Sequence, residues 1–250
     1  MNFDLDTHPS VKLLAQQLEK VSGKPAMIVM DSSIGDMLST QVTARSSAQP
    51  AHLVKVNQKY NSIRHALASV QLRHILRRYQ IKSPLKDVTL SPKAIDVISE
   101  QLEQVDRVPA DQLEQFAQHI AGNLVIQLRS ALPSVAVHYE IQKYQAELWD
   151  QQQEAIKATI NNNLQSLKET GFPAPLVRWN RLLAATESFG MASIINNKSL
   201  MVPFESLGLL GPAKEIAGPL LLGEYDGLDD LELVEITADK INMTELHQWI

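Results

Sequence analysis

Between residues 51 and 80 the hydrophobic pattern changes period, and that change limits what the chain can build. "AHLVKVNQ" alternates, with Leu53, Lys55 and Asn57 set against Val54 and Val56, as a strand covered on one face does. The next stretch, "NSIRHALASVQLRHILRRYQ" at 61–80, places Ile63, Leu67, Val70 and His74 at spacings of four, three and four. Those positions share one face of a helix. Upstream, "HPSVKLLAQQLEKVSGKP" repeats Val11, Leu14, Leu18 and Val21 at helical spacing and is stopped by Gly23 and Pro25. "AMIVMDSS" and "DMLSTQVTARS" are of strand length. The expected order through residue 80 is helix, strand, strand, strand, helix.

Beyond Pro84 strand signals thin out. Helical patterns are expected near 92–105, 110–131, 134–169 and 174–190, with Asn161, Asn162 and Asn163 as a break or a solvated face in the third. "KSPL" and "GFPAP" punctuate the pattern. The Pro-, Gly- and Leu-rich stretch Ser199–Leu222 reads as ordered but irregular with a short helix, and the closing "LDDLELVEITADKINMTELHQWI" leans to helix over strand. The expected fold class is α+β: a small N-terminal sheet with helices over 1–83 and a mostly helical half over 84–250. No Gly/Ser linker separates them, so one shared core is expected.

Composition narrows the function classes. Hydrophobic residues make up 44% and charged residues 20% of the 250, ordinary for a soluble globular chain. No run approaches the roughly 18 apolar residues that span a bilayer, and "MNFDLDTHPS" lacks the basic and apolar regions of a secretory signal. A cytoplasmic protein with no membrane partner is expected. The chain has no Cys, which removes disulfides, thiolate metal sites and thiol nucleophiles. The familiar phosphate-binding loops, G-x-x-x-x-G-K-[ST] and G-x-G-x-x-G, do not occur. Ser188 in "ESFGMAS" lacks the G-x-S-x-G spacing, and Gly190 beside it reads as a helix cap.

The net charge of −5 is unevenly spread. No acidic residue lies between Asp36 and Asp87, a span carrying Arg45, Lys55, Lys59, Arg64, Arg73, Arg77, Arg78, Lys82 and Lys86. The segment from Glu215 to Glu245 is correspondingly acidic. The basic segment 45–86 either packs near acidic chain or contacts nucleic acid, with Arg73, Arg77, Arg78 and Lys82 for phosphates and Tyr79 for stacking. In "PLVRWNRLL", Arg178, Trp179 and Arg181 combine residue types that anchor protein interfaces, although a buried Trp under Arg stems has the same sequence. The terminal "LHQWI" offers Leu246, Trp249 and Ile250 as a docking tail or an ordinary packed helix end.

The helix at 61–80 also holds half of a metal motif. In H-E-x-x-H two His one turn apart face a tetrahedral metal and the Glu activates water. The corresponding residues here are Val70, Gln71, Leu72, Arg73 and His74. With "KPAMIVMD", "HLVKVNQ" and "QLRHILR" in this order, the first 80 residues resemble minimal zinc metallopeptidases of the ImmA/IrrE type. The resemblance implies a zincin-like half in which His74 matches the second His, Val70 replaces the first and Gln71 replaces the catalytic Glu. It also implies a third ligand from a later helix, Glu140 or, second to it, His138.

The substitutions decide the expected chemistry. Gln71 cannot take a proton as a carboxylate does, and Val70 has no lone pair. His74 and Glu140 are two ligands where catalytic zinc needs three from the protein. His65 lies about 900° around the helix from His74, on the opposite side, and a site from His52, His74 and Glu140 requires a loop to bring His52 in. The sequence therefore suggests a non-catalytic, metallopeptidase-like protein acting through protein–protein contacts, regulatory or sensory in kind, with no cofactor. Its alternatives are a nucleic-acid-binding protein and a metal-dependent hydrolase, with zinc, at an atypical site.

Overall fold

The first helix, Pro9–Ser22 (α1), starts with Pro at its N-terminal turn and buries Val11, Leu14 and Leu18 on one stripe. It ends at Gly23, whose φ of 73° is left-handed and whose N–H donates to the Glu19 carbonyl at 2.8 Å. The computed structural model describes residues 8–81, 88–104, 108–168 and 170–249. Lys82 and Lys86, in the expected basic segment, and Ile250, in the expected tail, lie outside them.

Strands Ala26–Asp31 (β1), Leu38–Gln41 (β2) and His52–Asn57 (β3) form one sheet with β3 in the middle. β1 runs parallel to β3, from Ala26 opposite His52 to Asp31 opposite Asn57, and β2 runs antiparallel to it. The alternation read from β3 is real: Val54 and Val56 are fully buried, while Leu53 and Lys55 on the other face are half-buried. Asn57 closes the strand. Its side chain accepts from the Lys59 N–H at 3.0 Å and donates to the Ile34 carbonyl at 2.8 Å, starting the next turn and ordering the β1–β2 loop together.

A 3₁₀ turn, Gln58–Ile63, leads into Arg64–Gln80 (α2), which packs on α1. Their apolar stripes meet the inner face of the sheet in a core that includes Leu14, Leu18, Ile28, Val54, Val56, Leu67, Leu72 and Ile75. Each such side chain contributes about 1.5–3 kcal/mol by leaving water.

The rest of the chain is Val88–Leu90 (β4), Pro92–Glu103 (α3), Leu113–Tyr144 (α4), Trp149–Asn163 (α5), Ala174–Ile194 (α6), Val202–Glu205 (α7), Leu210–Leu221 (α8), Asp230–Ile241 (α9) and His247–Trp249 (β5). The whole is α+β with a mostly helical C-terminal half. Two compact units divide it: Met1–Lys82 with Val137–Lys157, and Ser83–Ala136 with Ala158–Ile250. The first unit thus includes a returning segment, 137–157, whose membership the periodicity does not reveal.

Several expectations are corrected within the helical part. α4 runs through Pro133 without ending, and the break comes instead at Gln145–Leu148, so that Asn161, Asn162 and Asn163 close α5. Gly190 is no cap: it lies buried inside α6, where an added Cβ would sit 2.5 Å from both methyl carbons of Val135. The C-terminal segment is a helix followed by a strand. Asp229 and Glu232 form a reciprocal capping box that starts α9, and β5 pairs antiparallel with β4 through Leu90 and His247. α4 also contains an 18-residue window long and apolar enough to cross a membrane, and 61% of that window is buried inside the protein.

Candidate functional site

Helical spacing brings Val70, Arg73, His74 and Arg77 of α2 to neighbouring positions, and the returning end of α4 lies over them. Val70 packs in an apolar cluster with Val137 and Ile141. Gln71 is held by the sheet: its Oε1 accepts a hydrogen bond from Thr40 Oγ1 at 2.8 Å. Glu140, one turn before the end of α4, is bracketed by two guanidinium groups a helical turn apart. Arg73 Nε lies 3.5 Å from one carboxylate oxygen and Arg77 donates to the other. The side chains of Arg73 and Arg77 are only 15% and 13% exposed. In so little water a paired carboxylate between two cations is a structural element.

His74 is half-buried, and His138 is buried close enough to it to feel its charge. The His138 carbonyl accepts from Gln152 Nε2 at 2.6 Å, while its ring Nδ1 has no hydrogen-bond partner among the described residues. Burial, assisted by His74, pushes the His138 pKa down to about 3. The zinc that the resemblance implies does not fit these residues: Val70 offers no donor atom, Gln71 is engaged with Thr40, and Glu140 is committed to two arginines. Among the described residues no three His, Cys, Asp or Glu side chains are grouped to hold a metal ion.

The two other histidines considered for such a site have structural partners. His52 is fully buried; its Nδ1 accepts from the Thr43 N–H at 3.0 Å, so its Nε2 carries the proton and donates to Ser22 Oγ at 3.0 Å. His65 packs against the His8 ring at 5.0 Å, near Gln151, and burial lowers its pKa to about 4. Burial also lowers the His52 pKa.

Of the residues considered for phosphate contact, Arg73 and Arg77 are thus spent on Glu140, and Arg78 is half-buried. Lys82 is outside the described residues. Tyr79 is no open stacking platform: its hydroxyl donates to the Thr43 carbonyl, its ring meets His52 edge-on at 5.5 Å, and the Arg45 guanidinium lies 5.8 Å from the ring centre.

The residues considered for an interface fall in the second unit. Arg178 is exposed at the start of α6. Trp179 is half-buried and its Nε1 donates to the Ile241 carbonyl at 3.1 Å; Arg181 donates to the Leu167 carbonyl at 2.9 Å. Two grooves meet at Arg178. One, about 500 Å³, runs between Phe172, Arg181 and Leu207; the other, about 380 Å³, between Trp179, Lys240 and Asn242. Trp249 is elsewhere, in β5 and not at a helix end, with its Nε1 donating to Glu235 and its ring against His247.

No protein-family profile, curated protein or solved structure matches the chain. The geometry therefore carries the functional argument alone.

One polar site escaped the sequence. Ser188, dismissed as a nucleophile, is buried in α6 and accepts from Asn163 Nδ2 at 3.2 Å; the same amide donates to Glu187 Oε2 at 2.8 Å. Ser134 of α4 also hydrogen-bonds to Glu187. Beside this carboxylate is a cavity of about 270 Å³. Burial raises the Glu187 pKa despite the two hydrogen bonds, which act in the opposite sense. The only sequence signal was the run of three asparagines, and its residue types fit a solvated helix end equally well.

Proposed function

We propose that this chain is a non-catalytic protein that works through protein contacts, with a first unit of metallopeptidase-like ancestry whose catalytic positions have become structural. The observation that supports it most is Glu140 held between Arg73 and Arg77. A carboxylate whose two oxygens each face a guanidinium has its lone pairs engaged, and two nearby cations oppose a third. Gln71 hydrogen-bonded to Thr40 is a positioning contact of the sheet, with no proton to exchange at neutral pH. A cytoplasmic location is part of this reading.

For the contacts themselves, the grooves that meet at Arg178 are the best-suited surface. Phe172 and Leu207, 44% and 48% exposed, supply apolar area beside Arg178, Trp179 and Lys240. Such a mixture of aromatic, aliphatic and cationic groups resembles the centre and rim of a recognition surface.

Elemental analysis tests the first half of this reading. Protein purified without chelator should hold well under one equivalent of zinc or any other transition metal, with no change in His74→Ala. One equivalent that disappears in His74→Ala would overturn it and return metal-assisted hydrolysis to the front.

A further inference from the structure

The cavity beside Glu187 lies wholly within the second unit and has nothing to do with the metallopeptidase-like residues. Three segments build it: α4 supplies Gln127 and Ser130, the end of α5 and the following 3₁₀ turn supply Asn162, Asn163 and Gln165, and α6 supplies Asn180 and Glu187. Glu187 is the single ionisable residue among those that line it. Its partners, Asn163 and Ser134, are neutral donors. Arg181, a turn and a half earlier on α6, donates to the Ser166 and Leu167 carbonyls.

The cavity is therefore lined by neutral amides and hydroxyls around one carboxylate, with no cationic side chain among them. Gln127 Oε1 is buried and has no hydrogen-bond partner among the described residues, which leaves a second oxygen unsatisfied near the carboxylate. A half-buried carboxylate with no cation among the residues that line the cavity, and a buried amide oxygen with no donor among the described residues, both cost free energy that a suitable ligand recovers. Leu183 and Ala184 form an apolar wall, and the exposed side chains of Asn162 and Gln165 mark the side open to solvent.

We infer that this cavity is a binding site for a small organic cation, an alkylguanidinium or alkylammonium, whose N–H groups reach Glu187 and Gln127 while its alkyl part lies on Leu183 and Ala184. A volume of about 270 Å³ accommodates such a molecule. An anion is opposed by Glu187. A neutral polar ligand satisfies Gln127 but leaves the carboxylate uncompensated. The charge state also sets a pH dependence: ligand binding needs ionised Glu187, so affinity increases as pH rises through its elevated pKa. No His, Lys, Arg or Asp lines the cavity to mask that titration.

The test is calorimetric titration of the full chain with butylguanidinium and, as its neutral isostere, butylurea, both in about 150 mM salt to suppress diffuse attraction to an acidic protein. Butylguanidinium should bind one to one, at least about tenfold more tightly than butylurea, with Glu187→Gln removing that preference. Gln127→Met, which deletes the acceptor at similar volume, should weaken butylguanidinium by about threefold, and thermal unfolding confirms that both variants are folded. Equal affinity for the two compounds, butylguanidinium binding unchanged in Glu187→Gln, or no saturation by about 10 mM at pH 8 would each overturn the site.

Discussion

Two glutamates, one in each unit, show how much the neighbours of a carboxylate decide. Glu140 sits between Arg73 and Arg77, and its charge is compensated within the protein. Glu187 accepts from the amide of Asn163 and the hydroxyl of Ser134, with no cationic partner among the described residues, and burial pushes its pKa up. The first is a completed structural unit; the second still has binding capacity to offer. By residue type alone Glu140 is the more conspicuous, because the resemblance implies a metal ligand at that position. Compensation of charge points to the second.

The comparison breaks most visibly at Glu140. Glu140→Gln leaves two poorly exposed guanidinium groups without their anion, and the expected loss is about 3 kcal/mol of unfolding free energy at pH 7. Urea unfolding measures it. Adding Arg77→Met to the variant should recover part of the loss, because it removes one of the two cations that Glu140 offsets; no recovery would show that the carboxylate acts through something other than this pairing.

The same neighbourhood should resist any additional positive charge. His138 has a folded pKa of about 3 against an ordinary value near 6.5, so the unfolded chain takes up a proton first. Its contribution is present above about pH 6.5 and is lost as pH falls toward 3, roughly 2 kcal/mol of it by pH 5. His65, with a folded pKa of about 4, adds to the loss over the same window. His138→Leu sacrifices no ring hydrogen bond at Nδ1 and should flatten the decline between pH 7 and 5 by that amount. An unchanged slope would mean that His138 is not the group responsible.

In the second unit the corresponding structural test is Gly190. Its missing Cβ lets α6 approach Val135, one residue from the Ser134 that bonds Glu187. Gly190→Ala forces the helices apart and should cost about 1.5 kcal/mol through overpacking. It should also weaken the contact from Ser134, which the shift of the Glu187 carboxyl signal with pH reports in NMR.

How much of this was legible follows the range of the interactions. α1, β3 and α2 could be read because their stripes are long and regular, and Gly23 stops α1 by its own backbone conformation. The path of α4 could not: Pro133 ordinarily ends a helix, but buried Leu132, Val135 and Ala136 around it hold the helix in place. At the real break, Gln145 leaves helical geometry and its side chain donates to the Ser10 carbonyl, 135 residues away, a contact no local pattern announces. β5 was missed because three residues become a strand only beside β4, far earlier in the chain. The sites divide in the same way. Helical spacing put Arg73 and Arg77 on one turn, but nothing local joined them to Glu140. Glu187 acquires its character from α4, α5 and α6 together, and a single segment carries no trace of that.

The smallest expected effect on stability is at Glu187, and its smallness is informative. Glu187→Gln keeps shape and hydrogen-bonding atoms while removing a charge that has no cationic partner among the described residues. Because the folded pKa is raised, ionisation favours the unfolded chain: stability relative to the variant falls as pH rises above the ordinary carboxylate value. The variant should therefore lie within about 1 kcal/mol of the parent protein near pH 5 and become the more stable of the two toward pH 8. Paired melting curves across that range decide it. A variant that loses stability as pH rises would mean that Glu187 has a cationic partner within the fold, placing it with Glu140 as structure and leaving the cavity no charge with which to hold an organic cation.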